Sequence, residues 1–258
     1  MIVYRKGSKK LIAKEIIKYF LPHNFYVEMF FGVGELFFEK QKIMPCNYNI
    51  LNDLDSDVYN LFRIFQSKTL LKKLYNKIKL TPISEKLFRY FMKKTFKNKI
   101  NRALRFIYIF NFSYLGKADC FHIGKYNVKK NLLKDIKNIF NRLKYCYFTN
   151  SDYKDLLNKI AIRSNNDRNN MFIYCDPPYI NTSSYDVYDF TIQDFENLVK
   201  ILIAFNVRFA ISEFDNKDII EICKKYNLNI IDIGSRRNLK NVRNEILITN
   251  YKQTNLLF

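Results

Sequence analysis

Asp176, Pro177, Pro178 and Tyr179 bring a carboxylate, a stiff turn and an aromatic ring together in four consecutive residues. They follow Met171-Phe172-Ile173-Tyr174-Cys175, a short apolar run rich in β-forming residues that reads as a buried strand. Neither proline can donate to a sheet ladder, so the strand is expected to end where Asp176 stands. The same prolines fix the backbone, and neighbouring carbonyls and Tyr179 then point in set directions. In open α/β sheets ligands bind at such carboxyl ends of strands. Adjacent prolines are notable in a chain with 5 of them. A strand closed by an ordinary Asp-Pro turn is the plainer reading of this stretch alone.

A second chemical signal lies in Phe25-Tyr26-Val27-Glu28-Met29-Phe30-Phe31-Gly32-Val33-Gly34-Glu35-Leu36. It reads as a strand, a Gly-x-Gly turn and a helix start, an arrangement in which glycines let a ligand approach the backbone at a helix N-terminus. The chain has 6 glycines, and two of them meet directly after a strand. No third glycine stands in dinucleotide-fingerprint spacing, which lowers the case for NAD. The next strand, Tyr48-Asn49-Ile50-Leu51, ends at Asn52-Asp53, about 20 residues on, where an acid is placed to accept hydrogen bonds from ribose hydroxyls. Asp53 and Asp55 are both also suited to cap the following helix. The ribose role falls to Asp53 and the cap role to Asp55. Near the N-terminus, Tyr4-Arg5-Lys6-Gly7-Ser8-Lys9 offers a permissive glycine and an ammonium that can approach an anionic group. On these residues alone a capped helix start with a solvated lysine is the better account.

The elements that must hold these residues alternate. An amphipathic helix over Leu11, Ile12, Ile16, Ile17 and Phe20, closed by Pro22, precedes the glycine strand. A helix through Val58, Leu61, Phe62 and Phe65 follows Asp55. Between 67 and 143 the rhythm breaks into helices (68–78, 84–97 and 100–112), a hairpin-like stretch from Tyr114 to Lys125, and another helix to about 143. Lysines and arginines crowd this region: Lys93, Lys94, Lys97, Lys99, Arg102 and Arg105 in one part, Lys125, Lys129, Lys130 and Lys134 in another. Interleaved with Phe110, Phe112, Tyr114 and Phe121, they suit a nucleic-acid-binding insertion, although for any single lysine a solvated helical face is the plainer account. Strands resume at 145–148, followed by Asn150-Ser151-Asp152-Tyr153 entering a short helix. After Tyr179 come a loop with Tyr185, Tyr188 and Phe190, a helix over 191–204, a strand over 207–211, a helix near 216–226 and a strand over 228–233. A basic loop (Arg236, Arg237, Lys240, Arg243) and a closing strand over 245–250, expected to be antiparallel, end the series. Strands alternating with helices imply an α/β chain with a largely parallel sheet.

Composition narrows the partners. The chain has 258 residues, 48% of them hydrophobic, enough for one full α/β domain plus a smaller one. A formal charge of +20 points to a polyanionic partner, part of the excess reflecting a general bias toward Lys, Asn, Ile, Phe and Tyr. No apolar run approaches the roughly 18 to 20 residues of a spanning helix, and no signal peptide is visible, so a membrane partner is not expected. Five cysteines without a close pair argue for a reducing, cytoplasmic setting, and with His23 and His122 as the only histidines no metal site is expected.

Asp-Pro-Pro-Tyr resembles the catalytic tetrapeptide of amino-group methyltransferases, and in order along the chain the other stretches resemble those of the Dam-like DNA adenine-N6 methyltransferases. Tyr4 to Lys9 is similar to the family's N-terminal aromatic-Gly-x-Lys motif. Glu28 to Gly34, with Phe30 inside it, is similar to the Asp/Glu-x-Phe-x-Gly-x-Gly cofactor motif, and Asn52-Asp53 to its ribose-binding acid. Asn150 to Tyr153 resembles the polar-Asp-aromatic segment, and Glu245 to Asn250 the terminal Glu-containing strand. The resemblance implies a Rossmann-like methyltransferase sheet, mostly parallel with one antiparallel strand near the C-terminus. It also implies a cofactor-binding and catalytic domain formed by 1–66 and 144–258, and a mainly helical target-recognition insertion over 67–143. That insertion lacks a counterpart to the residues with which Dam reads GATC, which leaves the target sequence open.

The family likeness further implies S-adenosyl-L-methionine as cofactor and double-stranded DNA as partner, a monomeric working form, and in some settings a cognate restriction endonuclease. The amino-acid end of the cofactor would lie near Lys9 and Tyr4, its body across Phe30, Gly32 and Gly34, its ribose on Asp53 and its adenine near Asp152 and Tyr153. The exocyclic amine of adenine is a poor nucleophile. By the same likeness, Asp176 and the Pro177 carbonyl would accept from its hydrogens while Tyr179 stacks on the flipped base and Tyr185 or Phe190 closes the other face. Lys93, Lys94, Lys97, Arg102, Lys125, Arg236 and Arg237 are the expected DNA contacts. An RNA or protein amino-group methyltransferase, a cytosine-N4 enzyme and a non-catalytic basic DNA-binding protein are the competing readings.

Overall fold

A computed structural model describes residues 3–5, 9–123, 127–180, 189–237 and 242–252. Gly7, Lys125, Tyr185, Tyr188 and Lys240, singled out above, lie outside the described residues.

One seven-stranded sheet carries the chain's strands in the order β3-β2-β1-β4-β5-β7-β6. These are β1 (Phe25–Glu28), β2 (Tyr48–Asn52), β3 (Tyr147–Thr149), β4 (Met171–Cys175), β5 (Arg208–Phe214), β6 (Asn229–Arg237) and β7 (Val242–Thr249). β1 pairs in parallel with β2 and β4, and β4 in parallel with β5. β7 slots antiparallel between β5 and β6. This is the Rossmann-like, mostly parallel arrangement expected from strands separated by helices, because a parallel return needs a crossover. The strand expected to be antiparallel is so, and it makes a hairpin with β6 through what reads in sequence as a basic loop.

Chain order reverses at β1. From there the chain runs outward through β2 to β3, then returns to lay β4 on the other side of β1. Such a switch point opens a crevice at the carboxyl ends of the two strands. Pairing places Glu28 opposite Tyr174, so the tail of β1 and the Asp176 turn after β4 share that crevice. All five residues of β4 are buried, as befits a central strand covered on both faces.

The described chain gathers into two compact units. One comprises Lys10–Phe31, Leu36–Leu54 and Thr149–Phe258 and holds six complete strands. Its helices include α1 (Ala13–Ile17), α8 (Tyr153–Leu156), α9 (Asn165–Asn169), α10 (Ile192–Phe205) and α11 (Lys217–Lys225), while α2 (Glu35–Ile43) begins at the glycine turn. Its core is built around Val27, Ile173, Phe195, Leu198, Phe209 and Ile248. The N-terminal helix is shorter than its apolar spacing predicts: Leu11 is 92% exposed, Phe20 is buried beyond the helix end, and Ile12 supplies no side-chain cap. α9 was not legible, since its Asn-Asn-Asp-Arg-Asn run has no apolar period and its start rests on the Ser164 cap.

The other unit comprises Met1–Lys9, Gly32–Glu35 and Asp55–Phe148. It holds α3 (Ser56–Phe65), α4 (Lys68–Leu80), α5 (Glu85–Lys93), α6 (Lys99–Asn111) and α7 (Val128–Leu143). It begins at Asp55 rather than 67 because α3 packs on α4, α6 and α7. Asp55 is the α3 N-cap expected of it, accepting from the amides of Asp57 and Val58, and it also pairs with Arg5 at 3.3 Å. The guanidinium of Arg5 lies over Phe110 and Phe106, tying the N-terminal segment to the helices. The hairpin-like stretch after α6 makes one antiparallel bridge, Ser113 to Phe121, around a 3-10 turn at Tyr114–Gly116. Gly116 is at φ +64, and a Cβ there would stand 2.3 Å from the main-chain oxygen of Tyr4. Gly116→Ala is therefore expected to lower stability by about 2 kcal/mol in equilibrium unfolding, since both the backbone and the Tyr4 carbonyl resist it. An unchanged midpoint would contradict this close approach.

Candidate active site

In the strand-rich unit, Asn52 organises the crevice. This last residue of β2 is 1% exposed, and its amide makes four hydrogen bonds. Nδ2 donates to the main-chain oxygens of Met29 (3.0 Å) and Ser151 (2.9 Å). Oδ1 accepts from Thr149 Oγ1 (2.7 Å) and Ser151 N (3.0 Å). The Asn52 carbonyl also accepts from Phe31 N at 2.8 Å. One buried side chain thus fixes the segments that carry Phe30, Asp53 and Asp152. Asn150 adds two bonds, from Nδ2 to the carbonyls of Asp53 (2.7 Å) and Leu54 (2.9 Å). Asp53 is half-buried at the strand end, held through its main chain.

Beside it stands an aromatic cluster. Phe30, Tyr153 and Phe190 lie with ring centroids 5.7 to 6.0 Å apart, Tyr153 and Phe190 almost fully buried. The Tyr153 hydroxyl donates to the Asp194 carbonyl at 3.2 Å, and Asp194 also closes a capping box with Thr191 at the start of α10. Asp152 is the N-cap of α8, accepting from Lys154 N. Phe190, expected to close one face of a target base, here packs against Phe30 and Tyr153.

The Asp176–Tyr179 turn is held from the opposite side. Asp176 is half-buried, Pro177 buried, and Pro178 and Tyr179 half-buried. The Tyr179 hydroxyl donates a short hydrogen bond to Glu245 Oε1, and its ring meets Phe214 edge-on at 4.6 Å. Burial, with Asp176 and Glu245 nearby, pushes the Tyr179 hydroxyl well above its ordinary pKa, so it stays a donor. Glu213 Oε1 accepts from Phe214 N at 2.8 Å and Oε2 from Ile180 N at 3.4 Å. Glu213 and Glu245 are both essentially inaccessible. Sequence reasoning gave neither a role; the signal was available as acids inside apolar strands, at positions that only the β5–β7 pairing brings to the turn.

Glu28, first residue of the glycine motif, is 2% exposed. Tyr26 donates to its Oε2 at 2.7 Å. Burial, reinforced by Asp176 and Asp53 and opposed by the Tyr26 bond and Lys40, raises its pKa to about 8. At neutral pH Glu28 is mostly protonated, which spares Asp176 a second negative neighbour.

In the other unit, Gly32 and Gly34 are at φ +55 and +76, backbone that other residues rarely adopt. Tyr4 is exposed, whereas Lys9 is 5% exposed, contrary to a solvated lysine. Lys93, Lys94 and Lys97 are exposed around the end of α5. Arg102 instead turns onto Asp57, its Nε donating to Oδ1 at 2.8 Å, and onto Ser56. Arg236 and Arg237 end β6 opposite Arg243 and Val242. Among the described residues no cluster of His, Cys, Asp or Glu could hold a metal ion, and no helix is long and apolar enough to cross a membrane.

A model of the D12 class of N6 adenine-specific DNA methyltransferases matches residues 6–239. The chain belongs to this family. No curated protein matches it. Among solved structures, the methyltransferase is similar to the rRNA methyltransferase aviRa from Streptomyces viridochromogenes (11% identity, TM-score 0.41, covering 92% of this chain and 82% of that one). It is also similar to the N-terminal domain of human METTL16 in complex with SAH (10%, 0.41, 95% and 67%) and to magnesium protoporphyrin IX methyltransferase from Synechocystis PCC 6803 with bound SAM (9%, 0.42, 93% and 76%).

The methyltransferase takes S-adenosylmethionine as its methyl donor. The donor set of the crevice fits such a group: a strand-end carboxylate suited to ribose hydroxyls and aromatic rings suited to a nucleobase.

Two outcomes are expected. Asn52→Leu strands four buried partners, so it should cost about 3 kcal/mol of stability and weaken S-adenosylhomocysteine binding by roughly tenfold or more in calorimetry. Affinity unchanged in a folded variant would remove Asn52 from this role. Glu28, with its folded pKa above its unfolded value, binds the proton more tightly when folded. Stability should therefore fall as pH rises from about 4.5, the ordinary value for a glutamate, to about 8. Glu28→Gln should flatten this segment of the unfolding-midpoint curve, and an unaltered slope would contradict the assignment.

Proposed function

We propose that this methyltransferase transfers a methyl group to N6 of an adenine flipped out of duplex DNA. The observation that carries the reading is the Asp176 turn itself: a half-buried carboxylate at the switch point, beside a tyrosine whose hydroxyl is bonded to Glu245 and whose ring packs at right angles to Phe214. Bound S-adenosylmethionine supplies an electrophilic methyl group. Asp176 and the Pro177 carbonyl accept hydrogen bonds from the two amine hydrogens, favouring a tetrahedral nitrogen whose lone pair faces the donor. Positive charge grows on that nitrogen in the transition state, so a fixed carboxylate stabilises it more than the ground state. Tyr179 stacks on the extruded base. Asp53 holds the ribose, the adenine of the cofactor lies near Asp152 and Tyr153, its body lies across Phe30, Gly32 and Gly34, the glycines letting it approach the backbone, and Tyr4 and Lys9 serve its amino-acid end.

Residues 1–66 and 144–258 form the catalytic domain in this reading, and 67–143 the part that recognises the target. Lys93, Lys94, Lys97, Lys125, Arg236 and Arg237 contact DNA phosphates. Arg102 is occupied by Asp57 and holds the helices instead. The working form is a cytoplasmic monomer, since one flipped base needs one chain, and a restriction endonuclease of the same target is its natural counterpart.

The test is transfer of labelled methyl groups to duplex DNA, RNA and protein by the native chain and its variants. Asp176→Ala is expected to reduce turnover on DNA by about 10²-fold or more, as loss of a transition-state charge contact does. Activity within a few-fold of native would show the carboxylate role to be wrong, and preferential labelling of RNA or protein would redirect the substrate. Asp53→Ala should weaken cofactor binding by roughly tenfold while leaving saturated turnover closer to native.

A further inference from the structure

A cleft of about 410 Å³ opens beside the catalytic turn, within the strand-rich unit. Its volume lies in the range of small-molecule sites, about 300 to 1,000 Å³, and suits a single nucleotide. Ile180, the residue directly after Tyr179, forms one wall, and Phe214, against which the Tyr179 ring packs, forms another. Ile180 follows Tyr179 directly, and Phe214 both packs on the Tyr179 ring and lines the cleft, so a base seated on Tyr179 has this cleft directly beside it.

The remaining lining is polar and mixed in sense. Asp215 and the buried Glu213 bring carboxylates, Asn216 and Asn244 amides, Ser235 a hydroxyl and Arg243 a guanidinium that lies 5.4 Å over the Phe214 ring. These are the side-chain types that read base edges: carboxylates accept from cytosine N4, amides pair with adenine, and guanidinium with guanine. The walls are fixed in advance. Asp215 N donates to the Asn244 carbonyl at 2.9 Å, and Asn216 caps α11 through Asp218 N. A β-bulge in β6 between Asp232 and Gly234, with Gly234 at φ +113, bends the hairpin where Ser235 pairs with Asn244. Bulges of this kind re-aim side chains next to active sites.

We propose that this cleft is a subsite for the nucleotide adjoining the target adenine on the same strand, and that Asp215, Arg243 and Asn244 read its base. The proposal rests on the DNA reading above and extends it. Part of the target specificity then resides where the end of β5 meets the start of β7, apart from the helical insertion.

The test uses the purified full chain on a pool of duplexes randomised around adenines, with methylated positions read by sequencing. The native chain is expected to discriminate by about tenfold or more among bases at one position adjoining the methylated adenine, the discrimination of one good base contact. Asp215→Asn, Arg243→Gln and Asn244→Ala, checked for native-like unfolding midpoints, should each flatten or change that preference while keeping methylation. Three variants guard against the failure of any one to fold. Absence of a native preference at either adjoining position would overturn the subsite, as would an unchanged preference in all folded variants. Both results leave DNA methylation intact and so spare the parent reading. If the native chain methylates no DNA, the parent reading and the subsite fall together.

Discussion

Like charges crowded at one sheet edge set the terms for this molecule. Parallel pairing of β1 with β4 and antiparallel insertion of β7 beside β5 bring Glu28, Asp176, Glu213 and Glu245 to the same end of the sheet. Three of the four are buried, and burying carboxylates is costly unless each is neutralised or supplied with donors. Glu28 keeps its proton, Glu213 takes two main-chain amides, and Glu245 takes the Tyr179 hydroxyl. Asp176 alone of the four is half-exposed, at the position where a substrate amine would be met.

The same accommodation positions the aromatic ring. Tyr179 is held by Glu245 at its hydroxyl and by Phe214 packed at right angles to its ring, so it has little rotamer freedom left to lose. Around the corner, Asn52 does for the segments around Asp53 what Glu245 does for the Asp176 turn. A network in which every member is satisfied rigidifies a site, and Asn52 uses both donor and acceptor atoms to hold two segments. The preorganisation that catalysis by charge stabilisation requires is thus built from a few buried polar side chains within an otherwise apolar sheet.

Much of this was legible in the sequence. Asp-Pro-Pro ends a strand by chemistry alone, a Gly-x-Gly turn after a strand announces its own backbone, and the Asp55 cap follows from its place before an apolar helix. Local rules reach that far. Tertiary pairing does not announce itself: Glu213 and Glu245 are 32 residues apart in number, and only the strand order makes them neighbours of Tyr179. The burial of Lys9 and the Asp57 partner of Arg102 were hidden for the converse reason, since a basic residue next to polar ones reads as solvated in a sequence. The short N-terminal helix shows the limit of periodicity, where apolar spacing continued past the residues that the helix includes.

The central claim is that Asp176 serves an adenine amino nitrogen. Nucleoside mass spectrometry of DNA treated with the purified methyltransferase and S-adenosylmethionine addresses it most directly. N6-methyladenine as the modified base is the result predicted; N4-methylcytosine, or unmodified DNA from a folded, cofactor-binding protein, would contradict it.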